Sequence, residues 1–518
     1  MLHAGWFRPR CAEYLSRKIK TRSGTYVWIC RAPESIAYET SLDNWALEIV
    51  DFPYDYRCAY LDFLSEVMLF KLTVSERAEI SIRLSQLQDR LVKCYSPLGL
   101  NDRPSICVDT FIQLDDRSYC AAGWYRRVHG EVKEFYARAP EGKLLASIGV
   151  SFFPRDDIEP TFRGDSYLGF ISLFQLPYSS PAPSGWIVGR KGSGDIFEAP
   201  CPDLNLTAED KRVCLLNLFR NPSCPDPHGY RNLIHLALGK LQRSIADSSK
   251  VIAIHQFGSP PLDPICSVII PLFRRLDFIE HQLVHFEHDP VMSMLDIIYV
   301  LDSPQDSPEL QLKAEALSAL YTTPFRLAFL SRPGGYGNAC NQASLLARSN
   351  KLLFLNSDIM PKNAGWLTVL LNQLPDNAIV GAKLLFEDET IQHCGVVFKK
   401  IAGGITYEPH HIFKGLSTSV VDQSPRVQIH AVSGACLLIY RDLFSRLGGF
   451  DISYVQGDFE DCDLCLRLKK QGGVCQVRLD VELYHLEGQS YPRSSRSLNR
   501  DYNLWLFNER WMHVINSV

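Results

Sequence analysis

Glu460, Asp461 and Asp463 place three carboxylates within four positions, directly ahead of the apolar run Leu464-Cys465-Leu466-Arg467-Leu468. Leu464 and Leu468 recur at helical spacing, with Phe459 or Glu460 one turn back, so the run predicts a helix whose first turn carries the acids. Carboxylates are favoured there because the first N–H groups of a helix lack intrahelical partners and its dipole is positive at that end. One acid at such a place is accounted for by capping alone. Three call for a further reason, and the chain upstream supplies it. Asp463 stands four positions before Arg467, a spacing at which the two pair on one helix face.

Two further acids close apolar runs. Leu295 to Leu301 ends at Asp302, and Lys351-Leu352-Leu353-Phe354-Leu355-Asn356-Ser357 ends at Asp358. Cys266-Ser267-Val268-Ile269-Ile270-Pro271 and Arg326 to Leu330 are runs of the same kind. Continuous apolar stretches of this length predict parallel strands buried on both faces. A helix is predicted around Asp277 to His285, and Gly334-Gly335-Tyr336-Gly337 leads into another at Asn338. Ligands of open α/β sheets bind beyond the carboxyl ends of the strands, which sets Pro271, Asp302, Gly337 and Asp358 along one edge.

Other chemistries find no motif. No Gly-x-Gly-x-x-Gly follows the first of these strands, and there is neither a Walker lysine loop nor a Gly-x-Ser-x-Gly elbow. Cys462 and Cys465 form a Cys-x-x-Cys with no second pair to complete a zinc site.

The elements that must position these groups occupy about half of the 518 residues, and a chain of this length predicts several domains. Residues 1–104 form an N-terminal region without an assignable task, with a strand expected at Tyr26 to Cys30 and an amphipathic helix at Glu76 to Cys94. From 105 to 200, short alternating runs such as Val108 to Ile112, Gly123 to Tyr125, Val132 to Ala137, Leu144 to Ile148 and Gly169 to Leu173 predict an antiparallel β-sandwich-like module. Residues 201–263 read as a helical connector, with helices at Ala208 to Arg220 and Tyr230 to Ala246 before the linker Gly258-Ser259-Pro260-Pro261. The α/β domain is expected to span 264–518.

The net charge of −4 argues against bulk binding to nucleic acid, and the basic run Arg8 to Arg22 reads as a solvated face, with contact to the inner face of an anionic membrane as the alternative. Sixteen cysteines without a framework of spacings read as reduced thiols, hence a cytoplasmic protein. No continuous apolar core of a secretory signal is visible near the N-terminus, and no stretch reaches the roughly 18 apolar residues of a membrane span.

Taken in order, several short motifs resemble the family 2 glycosyltransferases, inverting enzymes of the GT-A fold that use nucleotide-sugar donors. They are Ser267 to Pro271, Asp302, Gly335 to Asn341, Leu355 to Pro361, Val432-Ser433-Gly434-Ala435, Gly448 to Asp451, Glu460 to Leu468, and Tyr484 to Ser490. The 105–200 module likewise resembles, in pattern, small β-sandwich modules that precede such domains.

The resemblance implies a GT-A-type Rossmann-like nucleotide-sugar-binding domain at the C-terminus. Pro271, Asp302, Gly337, Asn341, Asn356, Ser357 and Gly434 would then serve the donor, with Asp302 on the nucleobase. Asp358 and His485 would serve Mg²⁺ or Mn²⁺, hard cations suited to oxygen ligands and to a diphosphate leaving group. Asn356 stands where the family's metal-binding motif has its first acid, leaving one carboxylate in Asn-Ser-Asp. Asp461 maps onto the general base and Glu460 onto its neighbour, which contacts the acceptor. Arg493, Arg496 and Arg500 follow in a loop-like stretch that reads as a solvated basic loop, with closure over the diphosphate as the alternative. The partners implied are a nucleotide-diphosphate sugar and a glycan, glycolipid or protein acceptor. The alternative is a degenerate transferase acting as a glycan-binding or scaffolding protein, for which Asn356 speaks and the Glu460-Asp461 pair does not. A nucleotidyltransferase would want a glycine-rich basic loop where Leu272-Phe273-Arg274-Arg275 stands.

Overall fold

The computed structural model describes residues 106–127, 131–138, 144–155, 167–176, 186–191, 196–202, 206–220, 226–372, 374–401, 406–423, 428–486 and 493–515. Ahead of these it describes three short strands, β1 (Ser16–Lys20), β2 (Tyr26–Arg31) and β3 (Trp45–Ala46), paired antiparallel in that order. The helix expected at Glu76 to Cys94 lies outside the described residues. Two compact units emerge, one of Met1–Asn205 with Ser223–Gly229, the other of Leu206–Pro222 with Tyr230–Val518.

The first unit contains β4 (Ile106–Gln113), β5 (Ser118–Arg126), β6 (Val132–Arg138), β7 (Leu144–Pro154), β8 (Tyr167–Gln175), β9 (Trp186–Lys191) and β10 (Ile196–Pro200). They form one antiparallel sheet in the order β10-β9-β6-β7-β8-β5-β4. The long strand β7 pairs with β6 through Leu144 to Ala146 and with β8 through Ser147 to Pro154. In a flat sheet, strands on either side of a third stand roughly 9–10 Å apart. Phe135 of β6 and Phe170 of β8 nevertheless stack with ring centroids 4.1 Å apart, so the sheet folds over along β7. A register shift between Ser147 and Gly149 marks the bend and leaves Ile148 exposed, as a bulge residue is. Where a sandwich of two sheets was expected, one continuous sheet closes on itself around Phe135, Phe170, Phe174 and Tyr125.

The second unit is α/β. Its strands are β11 (Val251–Phe257), β12 (Cys266–Leu272), β13 (Leu295–Leu301), β14 (Phe325–Leu330), β15 (Lys351–Leu355), β16 (Ile359–Pro361), β17 (Ala378–Leu385), β18 (Ile391–His393), β19 (Val396–Ile401), β20 (Thr406–His411), β21 (Cys436–Tyr440) and β22 (Val474–His485). Its α-helices are α1 (Ala208–Phe219), α2 (Pro227–Ser248), α3 (Phe278–Phe286), α4 (Ser307–Leu320), α5 (Tyr336–Ser344), α6 (Trp366–Leu371), α7 (Ser419–Gln423), α8 (Arg441–Arg446), α9 (Glu460–Lys470) and α10 (Arg493–Ile515).

The main sheet runs β11-β14-β13-β12-β15-β21-β17-β22-β16, with β18 against β17; β19 and β20 pair separately as a hairpin. Strands β14, β13, β12 and β15 are parallel neighbours, so the chain progresses one way from β12 and then returns to its other side with β15. That reversal opens a crevice at the carboxyl ends of β12 and β15. Strands β13, β14 and β17 are buried along their whole length, each a mainly apolar run interrupted by one charged residue, Asp296, Arg326 and Lys383 respectively.

The expected boundary at 264 moves upstream. Strand β11 pairs antiparallel with β14 and so belongs to the main sheet, and Pro260-Pro261 lies in the connection between β11 and β12. Gly258 has φ of +70°, a value at which glycine is at ease, so the Gly-Pro-Pro signal marks a turn inside the unit. Beneath the sheet, Arg326 donates to both oxygens of buried Asp296 at 2.9 and 2.7 Å, and Ser267 Oγ donates to the same carboxylate at 2.8 Å. None of the three lines the crevice, and their role is to tie β12, β13 and β14 in register.

Candidate active site

A cavity of about 600 Å³ opens at the crevice. Nine of the eleven residues singled out by sequence line it: Pro271, Asp302, Asn356, Ser357, Asp358, Gly434, Glu460, Asp461 and His485. Gly337 and Asn341 do not. Asn341 instead donates to Phe450 O at 2.8 Å and accepts from Phe450 N at 2.9 Å, clasping the Gly449-Phe450 turn. A Cβ on Gly337 would stand 3.4 Å from Phe450 Cβ, so that glycine lets α5 approach the same turn.

Asp302 follows β13, only 3% exposed, and accepts from Gly334 N at 2.6 Å and Gly335 N at 2.8 Å. These amides stand at the N-terminus of α5, where backbone donors and the helix dipole favour an anion. Burial pushes the Asp302 carboxyl up to about 6, while the two amides and the Arg212 guanidinium hold it down.

The Asn356-Ser357-Asp358 turn follows β15. Gln282 of α3, fully buried, donates to Asn356 O at 2.9 Å and Ile359 O at 3.2 Å and so shapes the turn from below. Asp358 Oδ1 faces His485 Nε2 at 3.4 Å. His485 Nδ1 meets Gln392 Oε1 at 2.6 Å, and Gln392 Nε2 donates to His485 O at 3.0 Å. Gln392 therefore presents an acceptor to Nδ1, and in the tautomer that donates to it Nε2 turns its lone pair towards the carboxylate. Two acceptors facing each other need a proton or a cation between them. The second-partner arrangement on the imidazole is the one metal-ligating histidines adopt. Asp358 and His485 thus fit a divalent cation whose other ligands come from elsewhere, as for ions that keep bound water or substrate phosphates. Among the described residues no group of three or more His, Cys, Asp or Glu side chains is arranged to hold a metal.

Gly434 is tied on every side. Its N–H donates to Asp461 Oδ2 at 2.7 Å, and its carbonyl accepts from Tyr336 OH at 2.9 Å. Next to it, Ser433 N donates to His393 Nε2 at 3.2 Å, and His393 Nδ1 meets His411 Nδ1 at 2.9 Å. Burial and the neighbouring His411, His485 and Lys414 hold His393 well below the usual imidazole range, so it is neutral. A Cβ on Gly434 would come 3.2 Å from Asp461 Cβ and 3.4 Å from Tyr336 Oη.

The acid helix begins as its sequence suggests, with Leu464 and Leu468 fully buried, each worth about 1.5–3 kcal/mol. Asp463 accepts from Arg467 at 2.7 Å and from Trp511 Nε1 at 2.8 Å, so this acid braces the helix. Asp461 accepts from Gly434 N and, at 2.7 Å, from Cys462 N. Glu460 is 7% exposed, and its Oε2 has no hydrogen-bond partner among the described residues. Burial first, and then the adjacent Asp461 charge, raise Glu460 well above the usual carboxylate range. Burial also raises Asp461, against the pull of its two amides. Of the two, Glu460 holds a proton the more readily, since two amides stabilise a charge on Asp461 and Glu460 Oε2 has no partner among the described residues. Approaching the helix, Gln456, Gly457, Asp458 and Phe459 all have positive φ, at 62°, 133°, 73° and 79°. For the three that are not glycine this costs on the order of 1–3 kcal/mol each.

The stretch read as a basic loop is the start of α10, and of its three arginines Arg500 lines the cavity and pairs with Glu408 of β20. Arg493 and Arg496 fall in α10, with side chains outside the described residues. Tyr336, Gln392, His393 and Gln282 escaped sequence reasoning. Each is an ordinary polar residue whose partner lies far away, 93 positions for Gln392 and His485.

No family model matches the chain. It is 34% identical over 163 residues to the uncharacterised protein y4gI of Sinorhizobium fredii, covering 31% of this chain and 18% of that one. It is 34% identical over 181 residues to the O-antigen biosynthesis protein RfbC of Myxococcus xanthus, covering 34% of this chain and 14% of that one. The chain thus spans less than a fifth of the length of either relative. Among solved structures it is similar to GalNAc-T7 with UDP, GalNAc and Mn²⁺ (13% identity, TM-score 0.34, 49% of this chain and 58% of that one). It is also similar to the mannosyltransferase PcManGT of Pyrobaculum calidifontis with GDP-Man and Mn²⁺ (14% identity, TM-score 0.34, 56% and 73%). Among the described residues no helix is long and apolar enough to cross a membrane.

Proposed function

We propose that the cavity binds a nucleotide-diphosphate sugar and transfers its sugar, with inversion, to a hydroxyl of a glycan, glycolipid or protein acceptor. The fold and chemistry are those of the GT-A, family 2 glycosyltransferases that the motifs resemble. One observation carries the reading. The Glu460-Asp461 pair, the Gly434 loop, the Asp302 carboxylate and the Asp358-His485 pair line one cavity at the switch point of a parallel sheet. The name of the M. xanthus relative, an O-antigen biosynthesis protein, agrees with work on a polysaccharide.

In this reading Asp302 orients the nucleoside, and Gly434 leaves room for the sugar. Asp461, carrying the charge of the acid pair, takes the proton of the acceptor hydroxyl as its oxygen attacks the anomeric carbon. The bond from that carbon to the diphosphate oxygen breaks on the opposite face, and its electron pair leaves with the diphosphate. Asp358 and His485 would hold Mg²⁺ or Mn²⁺, which supplies charge neutralisation for the leaving group. The test is a panel of nucleotide sugars offered to the purified full chain with Mn²⁺, reading donor hydrolysis, sugar transfer and thermal shift. Binding and turnover of at least one donor is the expected result. A chain that binds none of the common nucleotide diphosphates overturns the reading, and one that binds a glycan but no nucleotide points to the scaffolding alternative.

A further inference from the structure

Four consecutive residues with positive φ immediately before two reactive acids form a turn that would not hold this shape unaided. Its support comes from the C-terminal helix. Asn503, on α10 and wholly buried, accepts from Val455 N at 2.9 Å. It distributes its amide protons to Gly457 O at 2.7 Å, Val455 O at 3.2 Å and Asp458 O at 3.3 Å. One turn earlier, Asn499 Nδ2 donates to Gln456 Oε1 at 2.6 Å. Below the clamp, Phe459 packs on Phe507 of the same helix with ring centroids 5.5 Å apart. The carbonyl of Phe459 then accepts the first helical bond of α9, from Asp463 N at 2.9 Å. The direction in which Glu460 and Asp461 leave the turn is therefore set by backbone angles that Asn503 holds.

We infer that Asn503 is a positioning residue for sugar transfer, locking the left-handed turn so that Asp461 meets Gly434 and the acceptor hydroxyl in register. Asn503 does not line the cavity, and its effect passes through the turn. The inference rests on the transferase reading of the cavity. A misplacement of about 1 Å at a reacting group typically costs on the order of 10²-fold in rate.

The experiment uses the full chain, wild type against Asn503→Ala and Asn503→Asp, the latter keeping the size and the acceptor but losing the amide protons. Backbone hydrogen exchange over residues 455–461 is read together with kcat and donor KM. The expected result is faster exchange in that segment by about tenfold or more, with β12 and β13 as protected as before. Turnover falls by about 10²-fold while donor KM stays within about twofold. Adding Gln456→Gly to Asn503→Ala recovers part of kcat, because glycine adopts φ of +62° without a clamp. Exchange at 455–461 unchanged in both variants overturns the inference. So does uniform exchange over the whole unit in both, which would make Asn503 a core residue only, and so does a loss confined to donor KM. A wild type that binds no nucleotide and moves no sugar overturns the functional reading instead, and the exchange measurement then still decides whether the clamp exists.

Discussion

Asp302 and Asp461 line the same cavity, and each accepts two backbone N–H groups within 2.8 Å. Their surroundings differ in charge. The Arg212 guanidinium faces Asp302, whereas Asp461 has Glu460 and Asp458 beside it. One device, a carboxylate held by amides, therefore yields two kinds of group. Asp302 stands apart from other carboxylates, which suits the binding role proposed for it. Asp461 belongs to a coupled acid pair in which both carboxyls are raised, which suits the proton transfer proposed for it.

The contrast breaks most visibly at Asp461. Asp461→Asn keeps the shape and removes the proton acceptor, so transfer should fall by about 10²–10⁴-fold with donor affinity retained. Asp358→Asn should instead weaken Mn²⁺-dependent nucleotide binding, and excess Mn²⁺ should restore part of its activity. Rate and affinity measured for both variants across a Mn²⁺ series decide it; rescue of Asp461→Asn alone would exchange the two roles.

Next in size comes Asp302→Ala. Loss of a charged hydrogen-bonding group is worth about 1.5–3 kcal/mol, so donor KM should rise by roughly tenfold to a hundredfold with kcat little changed. A kcat defect at constant KM would make the two aspartates alike and dissolve the comparison.

Titration sharpens it. The binding form of Asp302 is ionised, so nucleotide affinity should be full above pH about 6 and decline below it, by up to about tenfold per pH unit. Calorimetric titration of a nucleoside diphosphate between pH 5 and about 8 would read this. In Asp302→Asn the dependence should vanish. Turnover should lose its acid limb above the usual carboxylate range, because the charge shared by Glu460 and Asp461 is lost as both take up protons.

The smallest effects concern two glycines. Gly337→Ala sets a methyl at ordinary contact distance from Phe450 and should leave transfer within about twofold. Gly434→Ala crowds Asp461 Cβ at 3.2 Å and should cost more, read as kcat, since the neighbour it crowds is the proton acceptor.

Much of the sheet was legible because buried parallel strands write themselves as mainly apolar runs closed by Pro271, Asp302 and Asp358. The acid helix was legible from Leu464 and Leu468, and the Asp463–Arg467 pair from its spacing. The Pro-Pro segment misled, since a connection between two strands of one sheet and a linker between domains share the same residues. Asn341 and Gly337 lie in a motif shared with the resembled family, but their bonds and contacts go to Phe450, a partner no local spacing discloses. The left-handed turn was illegible for a different reason. Nothing in Gln456-Gly457-Asp458-Phe459 favours positive φ at Phe459, and Asn503 lies 48 positions beyond Val455.

Helix α10 also holds the other wall of the cavity. Asn508 accepts from Tyr407 N at 2.7 Å and donates to Tyr407 O at 2.9 Å, and Arg500 pairs with Glu408, both on the β19–β20 hairpin. Asp302, Asp358, Gly434, Glu460, Asp461 and His485 all precede Asn499, Asn503 and Asn508 in the chain. A polypeptide cut short of Asn499 would therefore carry every one of those groups and neither of the two fasteners, the one on the turn and the one on the hairpin.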